Sequence, residues 1–259
     1  MRTAVHIRYD LHVHTTLSGH SADDLTVENI VRRCSQLRLK ALGFSEHVTN
    51  TKELEKPGLI AASLPDELPD GLTIYVGAEV DADPLKCDGS LVVPERSLEG
   101  LDYIVGSIHH FPKTNLAWWK SVRPEVAASI YDRWFEWTVK LVSNPSLDVL
   151  GHPAAILGYH KFVKDFEDED ILKDFDEIFR VARKNEVAIE LNELVAKKIG
   201  VLADSYWQII KRATRSGVKI SIGSDAHRLE DVGRLEWCNS VASMAGLTEE
   251  SLFLPTKIK

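Results

Sequence analysis

Cysteine is scarce in this chain. Cys34, Cys87 and Cys238 are the only three among 259 residues. An odd number so widely separated argues against a disulfide framework or a cysteine-built zinc site, and reduced thiols are expected. Basic charge is also in deficit, with 31 Lys and Arg against 39 Asp and Glu for a formal charge of -8. General affinity for a nucleic acid backbone needs a basic surface, so none is expected, and an anionic substrate would have to find positive charge locally. No apolar run is long enough to cross a bilayer, which excludes a helical membrane protein. The opening "MRTAVHIRYD" lacks the apolar core of a secretory signal, so a cytoplasmic location is expected. Internal repeats, low-complexity tracts and Gly/Ser linkers are missing too, and the length suits one domain spanning residues 1–259.

What the chain does have is alternation. Seven short apolar runs read as buried strands: "IRYDLHV", "ALGFSE", "TIYVGAE", "DYIVGSIH", "LDVLGH", "VAIELN" and "KISIGSD". Between them, "TVENIVRRCSQLRL", "PEVAASIYDRWFEWTVKLVS", "DEDILKDFDEIFRVARKN" and "DSYWQIIKRATRSG" carry apolar residues at three-and-four spacing. Pro124 stands at a helix start and Gly217 just after a helix end. Such alternation predicts an α/β fold of parallel strands joined by helical crossovers, closed or nearly closed into a barrel. Residues 50–72 and 112–123 look irregular, and each follows a strand end.

Histidine, by contrast, is placed with a pattern. The first run ends in His12 and His14, the second in His47, the third in Glu79 and the fourth in His109 with His110 beside it. His152 ends the fifth, Glu190 and Asn192 the sixth, and Asp225 and His227 the seventh. In a parallel barrel all carboxyl ends open on one rim, where sites of this architecture are built, so residues far apart in sequence should converge. Imidazole with carboxylate suits zinc, manganese or iron better than magnesium or calcium. At three or four protein ligands per ion the set is large enough for two or three ions. Clustered cations lower the pKa of a bound water from about 16 towards about 7 and stabilise displacement at phosphorus.

These residues resemble the PHP (polymerase and histidinol phosphatase) superfamily of metal-dependent phosphoesterases, whose motifs stand here in order as "DLHVHTTLSGH", "FSEH", "GAE", "GSIHH", "GHP", "ELN" and "GSDAH". The resemblance implies a distorted (β/α)7 barrel with a trinuclear centre of divalent ions at the carboxyl rim. By that resemblance His12, His14, Glu79 and Asp225 hold one ion, Glu79, His109 and His152 a second, and His20, His47 and His227 a third. His20 acquires a role only this way, since no strand justifies its position.

Around these ligands, Asp10 and Glu46 are candidates to orient imidazoles. Glu79 is expected to bridge two ions, and Asp225 or the rim histidine His227 to assist the leaving alcohol. Arg228, Lys161 and Arg234 are candidate phosphate clamps. His110 and Asn192 are expected to border the substrate. Trp118, Trp119 and Lys120 lie where they could close over a small organic group. The leading expectation is a phosphomonoesterase acting on a small metabolite such as histidinol phosphate. The alternatives are a phosphodiesterase or a nucleotide or phosphotyrosyl-protein phosphatase on the same centre, a non-enzymatic PHP module, and an amidohydrolase barrel, which would want a strand-borne lysine that is not evident here.

Overall fold

The computed structural model of the protein describes residues 6–119, 124–159 and 166–256. Seven strands form one sheet in sequence order: β1 (Tyr9–Val13), β2 (Ala41–Val48), β3 (Thr73–Asp81), β4 (Ile104–Ser107), β5 (Val149–Leu150), β6 (Ala188–Asn192) and β7 (Ile220–Gly223). Every adjacent pair is parallel. Just past β7 the chain returns to β1. The Asp225 N–H donates to the His12 carbonyl at 2.8 Å and the His14 N–H to the Ala226 carbonyl at 3.2 Å, with a parallel bridge between Val13 and Ala226. The sheet is thereby a nearly closed α/β barrel. Lower on β7, Phe253 N–H donates to the Ile220 carbonyl at 2.8 Å, so the segment after the last helix also pairs with that strand.

The helices are α1 (Val27–Gln36), α2 (Lys56–Ala62), α3 (Pro124–Leu141), α4 (Ala155–Tyr159), α5 (Glu169–Lys184), α6 (Glu193–Ile199), α7 (Trp207–Arg215) and α8 (Glu236–Ala245). The four long periodic segments of the sequence became α1, α3, α5 and α7. Side-chain caps start α1 (Thr26 to Asn29 N–H) and α5 (Asp168 to Asp170 N–H), satisfying donors that lack a partner within the helix. Their apolar faces, such as Ile30, Val31 and Cys34 on α1 and Phe175, Ile178 and Phe179 on α5, are buried. Part of the stretch expected to be irregular, residues 50–72, holds a 3-10 turn (Thr51–Glu53) and α2. Seven residues are too few to show helical periodicity, and the same brevity hides α4 and α6.

The middle of the barrel is filled rather than hollow. Tyr103, 1% exposed, lies across β1 and β2, where its hydroxyl donates to the Leu11 carbonyl at 2.8 Å and sits 2.7 Å from Ser45 Oγ. Ser45 Oγ donates to the same carbonyl at 2.9 Å. Two glycines make room: a Cβ on Gly43 would fall 2.3 Å from the Tyr103 hydroxyl, and one on Gly77 would fall 2.5 Å from the Tyr103 carbonyl oxygen. Replacing Tyr103 by Phe strips a buried hydroxyl from this group and should lower unfolding stability by about 1–3 kcal/mol. Urea denaturation of the two proteins checks this, and an unchanged midpoint would refute it.

Candidate metal centre

The register of the sheet places the candidate ligands. His47, inside β2 rather than beyond it, pairs directly with Glu79 on β3. His109 and His152 lie two residues past the ends of β4 and β5, and Asp225 two past β7. Glu79, 1% exposed, is the hub. Its Oε1 lies 2.9 Å from His152 Nε2 and 3.3 Å from His109 Nε2, and those two nitrogens are 3.2 Å apart. Its Oε2 lies 2.8 Å from His47 Nδ1, 3.5 Å from His12 Nε2 and 3.7 Å from His14 Nε2. Asp225 Oδ1 approaches His14 Nε2 at 3.1 Å and His12 Nε2 at 3.8 Å.

Three overlapping trios bring their ligand atoms within 4.8 Å of one another: His12, His14 and Asp225; His47, Glu79 and His109; and His14, His47 and His227. Two differ from the expected groupings, which had His152 in place of His47 in the second and His20 in place of His14 in the last. His20 is exposed and its Nδ1 lies 3.1 Å from the Ser18 carbonyl, yet its ring stacks at 4.6 Å on His227 and 5.2 Å on His47. All nine ligand-type residues therefore meet at one rim.

Most of the outward-facing ring nitrogens are fixed from behind. His12 Nδ1 is 2.6 Å from Glu190 Oε1, His109 Nδ1 is 2.7 Å from Asp81 Oδ1, His14 Nδ1 is 3.4 Å from Glu46 Oε1, and His227 Nδ1 is 3.0 Å from the Asp225 carbonyl. Carboxylate and carbonyl partners take the N–H and leave the opposite lone pair free for a cation. Among the described residues two buried ring nitrogens of the site, His12 Nε2 and His227 Nε2, have no hydrogen-bond partner, and Glu79 Oε2 meets only imidazole nitrogens. Buried polar atoms are rarely left so, and bare imidazole nitrogens beside carboxylates fit a set of metal ions.

Burial opposes a charge on His12 and His109, yet Glu190 and Glu79 about the first and Glu79 and Asp81 about the second drive both imidazoles well above the usual range, so cations would enter the centre by displacing protons. Burial would raise the Glu79 carboxyl, but the imidazoles of His109, His12 and His47 outweigh it and hold it well below the usual range. Burial likewise opposes the ionised form of Asp225, and His12 and His14 drive it well below normal. Glu46 falls to about 2 because His14 and Thr15 overcome its burial. His227 is lowered to about 4 by burial, then by the His14 charge, which leaves it neutral as a metal ligand must be. The backbone is strained at two ligands: Asp225 (φ 56°) and His152 (φ 26°) occupy the left-handed region, at a cost of about 1–3 kcal/mol each. Hydrogen bonds hold both, from Asp225 N–H to the His12 carbonyl and from His152 N–H to Glu190 Oε2 at 2.7 Å.

Other expected residues fall differently. Glu46 does back an imidazole. Asp10 does not, since its carboxylate accepts backbone N–H groups. Asn192 is 1% exposed, and its amide is spent on Glu190, Asp225 and the start of α6, so it does not border substrate. Arg234 is exposed, with Asp231 3.9 Å and Glu236 3.6 Å from its guanidinium. Arg228 and His110 do line the cleft, Arg228 with Glu230 3.4 Å away and His110 with Asp81 3.6 Å away. Lys161 and Lys120 lie outside the described residues. Trp118 packs inward at 6% exposed while Trp119 stays 47% exposed, its ring 6.2 Å from that of His109.

Sequence reasoning missed Asp81 and Ser107. Asp81 orients His109, and Ser107 Oγ donates to Glu79 Oε1 at 2.6 Å. Each stands two residues from a ligand on its own chain segment, "EVD" and "SIH", and alternate strand residues share a face, so the signal was present. Gly223 is the close-approach residue of the site: a Cβ there would lie 2.3 Å from His12 Cβ and 2.6 Å from Glu190 Oε1.

A nearly closed parallel barrel whose carboxyl rim gathers seven histidines and two carboxylates defines the chain as a barrel with a candidate polymetal centre. The chain belongs to the PHP domain family, whose model matches residues 10–194. Among curated relatives, proteins named probable phosphatase from Thermoanaerobacter sp. strain X514 and from Clostridium acetobutylicum are each 28% identical over 246 residues, covering 93% of this chain and 87% of their own. The crystal structure of histidinol phosphate phosphatase from Lactococcus lactis, complexed with zinc, L-histidinol and phosphate, shares the fold with a TM-score of 0.67 at 16% identity, covering 93% of this chain and 94% of that one.

Glu190→Gln tests the arrangement without touching a ligand. Loss of its charge behind His12 should weaken metal binding by about 10–100-fold. Titration of chelator-stripped protein with zinc measures it, and wild-type affinity in the variant would refute the role.

Proposed function

We propose that the chain is a metal-dependent phosphatase that hydrolyses a small phosphate monoester at a trinuclear centre. The observation that carries this is the convergence of nine ligand-type side chains at one rim, seven of them lining one cleft and the buried ring nitrogens His12 Nε2 and His227 Nε2 lacking hydrogen-bond partners. His12, His14, Glu79 and Asp225 would hold one ion, Glu79, His109 and His152 a second, and His20, His47 and His227 the third, with zinc, manganese or iron all compatible with the donor set. Bound there, the ions supply Lewis-acid stabilisation of phosphoryl oxygens and a water acidic enough to react at neutral pH.

The protein's own groups do the rest. Glu79 presents two oxygens to opposite sides, with His109 and His152 about one and His12, His14 and His47 about the other, as a bridge must. Arg228 lines the cleft, and its guanidinium is suited to a phosphoryl oxygen. Asp225 and His227 border the cleft as an ionised carboxylate and a neutral imidazole, so the proton for the leaving alcohol comes from solvent in the cleft. The cleft, 1010 Å³ in volume, continues past the floor along Trp119, Ala155, Leu194 and Val195. That apolar wall suits the organic part of a metabolite. A phosphate ester of the kind named in the Lactococcus neighbour, histidinol phosphate, is the first substrate to try, and the net charge of -8 argues against a polyanionic polymer.

The decisive experiment is metal analysis of protein purified without added ions, followed by a panel of phosphate monoesters that includes histidinol phosphate, with phosphodiesters and phosphotyrosyl peptides as competitors. A metal-loaded protein that hydrolyses none of the monoesters would overturn the proposal. Glu79→Gln should abolish turnover while leaving the circular dichroism spectrum intact, because a neutral amide cannot bridge two mutually repelling cations. Near wild-type turnover with unchanged metal content would remove the bridge. Trp119→Ala should lower kcat/KM for the preferred small ester several-fold while sparing a bulky phosphodiester, about the loss of one aromatic contact. Equal losses on both substrates, together with a lower melting temperature, would mean that Trp119 is structural.

A further inference from the structure

Asp10 takes no part in the reaction above, yet it is fully buried at the head of the segment carrying His12 and His14. Its partners are backbone N–H groups together with the Ser224 hydroxyl. Oδ1 accepts the N–H of Ser224 at 2.9 Å and of His12 at 3.4 Å, and Oδ2 accepts the N–H of Gly233 at 2.8 Å. Ser224 and Gly233 are the two feet of the loop that joins β7 to α8. Between those feet stand Asp225 and His227 of the metal centre and Arg228 of the cleft. One side chain of β1 thus grips a loop more than two hundred residues away at both of its ends.

The barrel seam also holds the start of this loop, through Asp225 N–H on the His12 carbonyl and His14 N–H on the Ala226 carbonyl, and its remaining ties come from outside the barrel. Arg33 on α1 donates from Nε to the Val232 carbonyl at 2.8 Å and from Nη2 to the Glu230 carbonyl at 2.7 Å. Ala22 N–H donates to the His227 carbonyl at 2.9 Å. The loop's only regular piece is a 3-10 turn at Leu229–Asp231. Its first foot leads straight into the strained Asp225, whose left-handed backbone persists only if its neighbours hold it.

We infer that Asp10 is a positioning residue: by clasping both feet of the β7–α8 loop it sets Asp225 and His227 for the ions and Arg228 for the substrate. The inference rests on the metal-centre reading above. It requires two acceptors on one side chain. An isosteric amide offers one oxygen and one NH2 group, and the latter confronts a backbone N–H, so Asp10→Asn frees one foot without changing the shape of the core. Arg33→Ala loosens the same loop from the protein's surface and leaves the buried carboxylate alone.

The test titrates zinc into chelator-stripped wild type, Asp10→Asn and Arg33→Ala, reading bound ions per chain, then KM and kcat on the best substrate, with unfolding midpoints alongside. Asp10→Asn should weaken the ions that depend on Asp225 and His227 by about 10-fold or more, leaving part of the metal complement bound, and should raise KM as Arg228 shifts. Arg33→Ala should show a smaller change in the same direction with an unaltered midpoint. Wild-type metal binding and kinetics in Asp10→Asn would overturn the inference. So would uniform loss of all ions with a lower midpoint while Arg33→Ala behaves as wild type, since Asp10 would then be a core hydrogen-bond acceptor and nothing more. Failure of the wild-type chain itself to bind zinc would overturn the metal-centre reading first, and is seen before either variant is measured.

Discussion

The structure is organised around one expensive object, the carboxylate of Glu79 buried at the mouth of a barrel. A charge with so little contact with water is tolerable only if opposite charge surrounds it, and here five imidazoles from four strand ends do so. Those imidazoles need anchoring in turn, and a ring of buried acids behind them, Glu190, Asp81 and Glu46, supplies it. The barrel must close in a register that puts His47 beside Glu79, and the glycines must leave room for side chains that a Cβ would displace. Local choices all along the chain answer to that one group.

Such an arrangement is poor as a stabilising device. Apolar residues packed in the same volume would hold a barrel as well or better. Backbone strain at Asp225 and His152 adds to the cost, and both sit where the chain meets the centre rather than in the supporting layers. The Tyr103 layer beneath is fully bonded and close-packed, so the barrel separates a stabilising floor from a strained and highly charged rim. That division is the usual one in parallel α/β barrels, where the carboxyl ends of the strands carry chemistry.

Much of this was legible in the sequence because two signals coincide. Apolar runs marked the strands, and the histidines that end them marked the rim, so His12, His47, His109, His152 and His227 could be brought together before any coordinates were known. His20 was different, because it leaves from a turn, and only the family resemblance singled it out. Short helices such as α2 and α6 escaped for want of length. Asn192 was misjudged because residue type gives no account of neighbours: an amide two residues from Glu190 was drawn inward to it. Asp81 and Ser107 were signalled by their spacing of two from Glu79 and His109, but their partners, His109 and Glu79 across the strand pair, are seen only in the fold.

The closing of the barrel carries a further consequence. The bonds that join β7 back to β1 run through the backbones of His12, His14, Asp225 and Ala226, three of which are themselves ligand-type residues. Breathing of the seam and breakup of the centre are therefore one event. Any cation held across it ties the first strand to the last, much as a covalent staple would, but in proportion to the free ion concentration around the protein. Starvation for metal would then show itself as slackness in the chain's closure, with amides along the seam exchanging with solvent sooner than those of the Tyr103 layer.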